Sequence, residues 1–223
     1  MNNIAQSIMN GFPKLSTGNI ADAGRSDVKI MDFGIKPLHY SMRAAGPAFT
    51  IEVPPAANLS LHEALTLAPP GSVLVFNAHG NMTSGHMGDL MALACQVRGI
   101  AGVVVDGAVR DVDDIIAMGF PVFARGSVPH GNAAQTGEMN KPIKCGGIDI
   151  NPGDMIFADS TGVLAFPAAK AKAIYEQAVK IANSELGFVQ KLNEGKTLLQ
   201  IPEFLKLHSI DPAVLKHDGV KLD

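Results

Sequence analysis

Between residues 46 and 167 the chain breaks into short apolar runs separated by Gly, Pro, Asn and Asp, and that punctuation limits the folds open to it. The runs are Ala48–Val53, Ser72–Phe76, Gly102–Val105, Pro121–Ala124, Ile148–Ile150, Met155–Ala158 and Val163–Phe166. Each is too short for a helix, and most are β-branched or aromatic, so each reads as a strand. Between the second and third lies Gly88 to Arg98. Met87, Leu90, Met91, Ala94 and Val97 recur there at helical spacing, and Gly99 stands where a helix ends. The order strand, helix, strand points to a mixed α/β or α+β core. A second helix is expected over Val112 to Met118, opening at Asp111 and closing at Gly119, and Asn151-Pro152-Gly153-Asp154 reads as a turn between strands.

After Phe166-Pro167 the texture changes. Ala168 to Glu185 is rich in Ala, Lys and Glu, strong helix formers, and Pro167 suits the first turn of one long helix. From Lys196 onward, Leu198, Leu199, Ile201, Phe204, Leu205 and Leu207 are interrupted by Pro202 and Pro212, too little to form a core alone. The expectation is a single domain over 1–223, with 167–223 a helical extension packing at a subunit interface. The first forty residues suggest short helices, with Ser16-Thr17 capping Asn19 to Ala23.

Composition narrows the function. The 223 residues are 47% hydrophobic, enough for a full core, and the net charge of −3 offers no basic field for nucleic acid. The N-terminus, Met1-Asn2-Asn3-Ile4-Ala5-Gln6-Ser7, lacks the basic and apolar regions of a leader, and no stretch reaches the ~18 apolar residues of a membrane span. Cys95 and Cys145 are isolated, without metal-type spacing, and read as reduced thiols. These features favour a cytoplasmic protein with neither membrane nor nucleic acid as partner.

Two polar clusters interrupt the apolar core, Gly88-Asp89 at a helix start and Arg110-Asp111 after the run Val103 to Val109. The first backbone N–H groups of a helix have no internal acceptor and carry the positive end of its dipole, so Gly88, Leu90 and Met91 can receive a small carboxylate. Arg110 offers a planar fork suited to a carboxylate. Asp111 is a hard oxygen ligand of the kind Mg²⁺ or Mn²⁺ takes, and Asp89 can orient a water or move a proton. Taken one at a time, each has a plainer role. Asp111 is an ordinary N-cap, Asp89 an ordinary dipole partner, and Asp106-Gly107 an ordinary turn pair.

The stretch from Gly88-Asp89-Leu90-Met91-Ala92 through Arg98-Gly99-Ile100-Ala101-Gly102-Val103-Val104-Val105-Asp106-Gly107-Ala108-Val109-Arg110-Asp111 resembles the RraA-like family. The resemblance continues in Gly146-Gly147, Pro152-Gly153-Asp154 and Ala158-Asp159-Ser160-Thr161-Gly162-Val163 and covers about Gly46 to Leu199. That family includes class II pyruvate aldolases acting on 4-hydroxy-4-methyl-2-oxoglutarate and 4-carboxy-4-hydroxy-2-oxoadipate. The resemblance implies a ββα sandwich of the swivelling-domain kind with a long C-terminal helix, assembled as a trimer or dimer of trimers with sites at subunit boundaries. It implies that Gly88 to Met91 bind the pyruvyl carboxylate and that Arg110 meets the 2-oxo group. Asp111 would hold Mg²⁺ or Mn²⁺, Asp89 would act through water, and Glu185 would reach a neighbouring subunit's site. The implied reaction is retro-aldol cleavage of a 4-hydroxy-2-oxo acid to pyruvate, with oxaloacetate decarboxylation through the same enolate. A Schiff-base route is disfavoured because the central motif supplies no lysine.

Three other readings stand beside this one. The family also holds non-catalytic regulators of ribonuclease activity that act by protein contacts; that branch is expected to lack the acid at Asp89, whereas here it stands with Arg110, Asp111 and Asp114. Menaquinone methylation ranks last, since no Gly-rich methyl-donor loop is present. A transition-metal site on His79, His86 and Asp89 is the third, with His86 also able to touch the distal part of a substrate. The loop Asn77 to Gly85 and Arg125 are further candidates for contacting that distal part, with Arg125 suited to a carboxylate. His130 reads as a loop residue, and Met82, Met87, Met91 and Met118 as core or pocket filling.

Overall fold

A computed structural model describes residues 11–53, 59–131 and 136–214. The N-terminal segment Met1 to Ser7 and the end of the C-terminal extension, 215–223, lie outside the described residues. The described residues form eleven strands: β1 (Lys29–Ile30), β2 (Lys36–Pro37), β3 (Ala44–Glu52), β4 (Val73–Gly85), β5 (Gly102–Val109), β6 (Val122–Ser127), β7 (Glu138–Met139), β8 (Ile143–Cys145), β9 (Ile148–Ile150), β10 (Met155–Ala158) and β11 (Val163–Phe166). The helices are α1 (Thr17–Gly24), α2 (Leu59–Leu67), α3 (Asp89–Val97), α4 (Val112–Met118), α5 (Ala171–Asn193) and α6 (Pro202–Leu207).

The main sheet runs β1-β11-β10-β3-β4-β5-β6-β2, with β7 also on β3, while β8 and β9 form a separate hairpin. Its centre, β3 to β6, is parallel, and the flanking pairs are antiparallel. The parallel strands are joined through α2, α3 and α4, as parallel pairing requires a crossover. Strands β1 and β2 sit at opposite ends of the sheet order but are separated by only residues 31–35. A chain that short spans at most roughly 20 Å, so the sheet curls until its two edges approach each other.

β5 is buried along its whole length because both faces are covered, and its Val-rich sequence suits that position. The core on the parallel side includes Ile51, Val73, Leu74, Phe76, Val103, Val104 and Phe123. A second core joins the antiparallel side to α1 and α5 through Phe12, Ile20, Phe157, Phe166, Ile174 and Ala178. The Phe12 ring meets Tyr175 edge-on, with centroids 5.2 Å apart. Burying each such aromatic contributes about 1.5–3 kcal/mol. Asp159 ties α1 to the sheet, accepting from Thr17 N and Thr17 Oγ1 at 2.9 Å and from Thr161 N at 2.8 Å. Burial raises its pKa, but these hydrogen bonds and the charge of Arg43 outweigh that and hold it below the ordinary carboxylate value.

The mixed α/β architecture matches the sequence reading, and α4 starts and stops where Asp111 and Gly119 predict. Ser16 caps α1 in a capping box with Asn19. The long helix is longer than its composition suggests, running to Asn193 after a 3-10 turn at Ala168–Lys170. The segment Asn77 to Gly85 is not a loop; it continues β4 with two register shifts against β5. Asp106-Gly107 is likewise not a turn and lies inside β5. Both departures have one cause, since pairing with a neighbouring strand overrides local turn preference. Among the described residues no helix is long and apolar enough to cross a membrane.

Candidate active site

Strands β4 and β5 are parallel neighbours, and they end side by side, Gly85 opposite Ala108. The chain leaving β4 enters α3 at Asp89, and the chain leaving β5 enters α4 after Asp111. Clefts at the carboxyl ends of parallel strands are the usual ligand sites of such sheets. Here the two exits are sewn together by His86 N donating to Ala108 O at 2.8 Å and Arg110 N to Met87 O at 2.9 Å. A pocket of about 240 Å³ opens between them, lined by Gly85 to Met91, Arg110, Asp111, His62 and Gly131.

Asp111 occupies the cap position of α4, yet it does not cap. Its backbone is left-handed, with φ 55° and ψ 42°, and its side chain makes no cap hydrogen bond. A non-glycine residue in that region costs of order 1 kcal/mol or more, which the surrounding structure must hold. The outcome is that its carboxylate turns into the pocket, where Arg110 Nε donates to Oδ2 at 2.9 Å. Gly88 faces it so closely that a Cβ there would meet Asp111 Oδ2 and stand 3.3 Å from Arg110 Cγ, so a side chain at this position would push the Asp111 carboxylate out of its place. Among the described residues, neither Nη of Arg110 nor the carboxylate of Asp89 has a hydrogen-bond partner. The N–H groups of Asp89, Leu90 and Met91 belong to the first turn of α3 and have no intrahelical acceptor. The pocket thus gathers a guanidinium, two carboxylates and a row of amides, all available to a ligand.

These donors fit a divalent cation. Mg²⁺ and Mn²⁺ are commonly held by one or two carboxylates, with water or substrate oxygens completing the shell. Among the described residues no group of three or more His, Cys, Asp and Glu side chains clusters for a metal, and the carboxylates at this pocket are those of Asp89 and Asp111.

The structure brings together Gly88, Asp89, Leu90, Met91, Arg110 and Asp111. Glu185 is elsewhere in this chain: it accepts from Asn19 Nδ2 at 2.9 Å and lines a groove of about 980 Å³ with α1 and α6. The trio His79, His86 and Asp89 does not assemble. His79 Nε2 pairs with Glu52 at 2.8 Å, while His86 is buried with its ring on Phe76. Arg125 is not available to a substrate, because it is bound by Asp106 and Asp32. His130 is a loop residue whose carbonyl accepts from Gly85 N at 2.8 Å. Met87 is buried at the pocket, whereas Met82 is 41% exposed and fills no core. His62 on α2 is a pocket residue that the sequence does not single out; it lies 27 positions before Asp89, in a stretch with no polar motif.

One face of α3 departs from the pattern of its sequence. Ala92 and Cys95 turn inward, while Leu90, Leu93 and Val97 are 75%, 46% and 78% exposed. The small residues let the helix lie close on the sheet, and the large ones form an apolar stripe beside the pocket. Both thiols are free and buried, and burial pushes the Cys95 thiol up to about 12.

Known proteins resemble this chain in sequence and in fold. Residues 17–165 match the family model RraA-like, described as Aldolase/RraA. A protein of Halalkalibacterium halodurans bearing the provisional name 4-hydroxy-4-methyl-2-oxoglutarate aldolase is 39% identical over 147 residues, 66% of this chain and 70% of that protein. Among solved structures, an uncharacterized protein from Pseudomonas syringae superposes with a TM-score of 0.79 at 29% identity, covering 87% of this chain and 96% of the other. The RNA-processing inhibitor RraA from Thermus thermophilus gives 0.63 at 27% identity, over 68% and 92%.

Proposed function

The chain belongs to the RraA-like family, and on that footing we propose that it is a divalent-metal-dependent lyase that cleaves 4-hydroxy-2-oxo acids, such as 4-hydroxy-4-methyl-2-oxoglutarate, to pyruvate. The observation that carries this reading is the uncapped Asp111 carboxylate, turned into a pocket beside Arg110 and the open amides of α3.

The roles follow from the chemistry of each group. The amides from Gly88 to Met91 receive the C1 carboxylate, the α3 dipole favouring its charge. Arg110 points its Nη groups at the C2 oxygen. Asp89, acting through a water, takes the proton of the 4-hydroxyl. The C3–C4 bond then breaks, its electron pair moves to C3 and the C2 oxygen as pyruvate enolate, and a carbonyl forms at C4. Protonation at C3 gives pyruvate. Asp111 would hold Mg²⁺ or Mn²⁺, which when bound supplies Lewis-acid stabilisation of charge on the substrate oxygens. Fixed positive groups aimed at a developing oxyanion typically contribute several kcal/mol. Oxaloacetate reaches the same enolate with CO₂ as the fragment lost, so decarboxylation is proposed for the same pocket.

We further propose a single domain acting in the cytoplasm as a trimer or dimer of trimers, with 167–223 at the subunit interface. Two exposed apolar patches support this. Leu90, Leu93 and Val97 flank Asp89, while Leu186 and Val189 flank Glu185. Two different patches that meet between copies make a head-to-tail contact, which closes into a ring when the rotation allows. Such a contact would bring Glu185 of one copy to the Asp89 pocket of the next.

The test is pyruvate release from 4-hydroxy-4-methyl-2-oxoglutarate and from oxaloacetate, with Mg²⁺ or Mn²⁺ and with EDTA, by wild type and Arg110→Ala. Metal-dependent release that collapses in the variant is expected. A folded, metal-loaded wild type that releases none would sink the lyase and leave a non-catalytic regulatory role acting by protein contacts as the better reading, one structural relative being an RNA-processing inhibitor.

A further inference from the structure

His62 lines the pocket but has no part in the roles proposed above for the pyruvyl half of a substrate. It projects from α2, which packs beside α3, and its ring has no hydrogen-bond partner among the described residues. Gly131, which also lines the pocket, lies on the Arg110 side; a Cβ there would stand 3.2 Å from Arg110 Nη1. We propose that His62 determines specificity for the leaving half of the substrate, donating an imidazole N–H to a carboxylate carried on C4. This rests on the lyase reading above.

Charge and availability single out His62. Among the described lining residues the ionisable side chains are His62, His86, Asp89, Arg110 and Asp111. The two aspartates repel a second carboxylate. Arg110 faces the pyruvyl end and already holds Asp111. His86 is 1% exposed, with its ring centroid 5.5 Å from that of Phe76, and so belongs to the pocket floor. His62 is left as the donor for a distal anion. An exposed histidine at the rim can accept or release such a group without the desolvation cost of a buried charge. A neutral or apolar leaving fragment would gain nothing from it.

Two constants separate this role from a structural one: the KM for 4-hydroxy-4-methyl-2-oxoglutarate, and the inhibition constant of oxalate, which mimics the pyruvate enolate end and has no distal group. His62→Ala is expected to raise that KM about tenfold, the loss typical of one hydrogen bond to a charged group. It should leave kcat within about twofold and the oxalate constant unchanged. His62→Gln, which keeps an N–H donor, should recover most of the loss. Equal changes in both constants, or no change in KM, would overturn the assignment while leaving the lyase reading intact. Absence of pyruvate release by the wild type would instead remove that reading, and this assignment with it.

Discussion

Two clusters of the same residue types lie a few positions apart on β5 and its exit, and they are put to opposite uses. Asp106 is 6% exposed, and both of its oxygens are taken: Arg125 Nε donates to one and Gly146 N to the other at 2.7 Å. Arg125 is also held by Asp32 at 3.0 Å, so the cluster binds β5, β6, the β8–β9 hairpin and the approach to β2 into one unit. Among the described residues Asp111 accepts only from Arg110, both are partly exposed, and both line the pocket. A carboxylate whose partners are all internal stabilises the fold. One that is held in place but left with open valences is available to a ligand. The difference lies in the partners rather than in the residue.

Breaking each cluster should therefore give opposite results. Asp106→Ala leaves the Arg125 guanidinium facing Asp32 alone and strands the Gly146 N–H; removing one partner of a buried pair costs about 3–5 kcal/mol, so urea denaturation should show a large loss of stability. Asp111→Ala should instead lower kcat/KM for pyruvate release by about 10²-fold or more, with the thermal midpoint within a few degrees of wild type. A comparable loss of stability in both variants would erase the distinction.

Asp159 sharpens the comparison with a second internal carboxylate. Its pKa is lower folded than unfolded, so its stabilisation is present above the unfolded value of about 4 and is lost as pH falls through the folded value. Asp159→Asn should cost about 1–3 kcal/mol at neutral pH and flatten the decline of stability on the acid side, read by denaturation between pH 6 and 3. The smallest effect is expected at the thiols. Cys95 and Cys145 should resist a thiol reagent in the folded protein and react fully in denaturant.

The positions of the pocket residues were more legible in the sequence than the surfaces were. Gly88, Asp89, Arg110 and Asp111 could be placed because each stands where a strand pattern meets a helix signal, and the ends of α4 follow from Asp111 and Gly119. Local pattern could not show that Asp111 declines to cap, because that depends on a left-handed backbone held against Gly88. Nor could it show that α3 buries Ala92 and Cys95 and exposes Leu90, Leu93 and Val97, since apolar residues stand on both of its sides. The short β1 and β2 were hidden because two-residue strands carry no periodicity. The partners of Arg125 come from segments 19 and 93 positions away, a separation no motif encodes.

Mn²⁺ binding, followed by electron paramagnetic resonance on the intact protein and on Asp111→Ala, tests the division between the two clusters most directly. The expected result is one bound Mn²⁺ per chain in the wild type, lost in Asp111→Ala while that variant keeps its native thermal midpoint. Undiminished Mn²⁺ binding by a folded Asp111→Ala would contradict it.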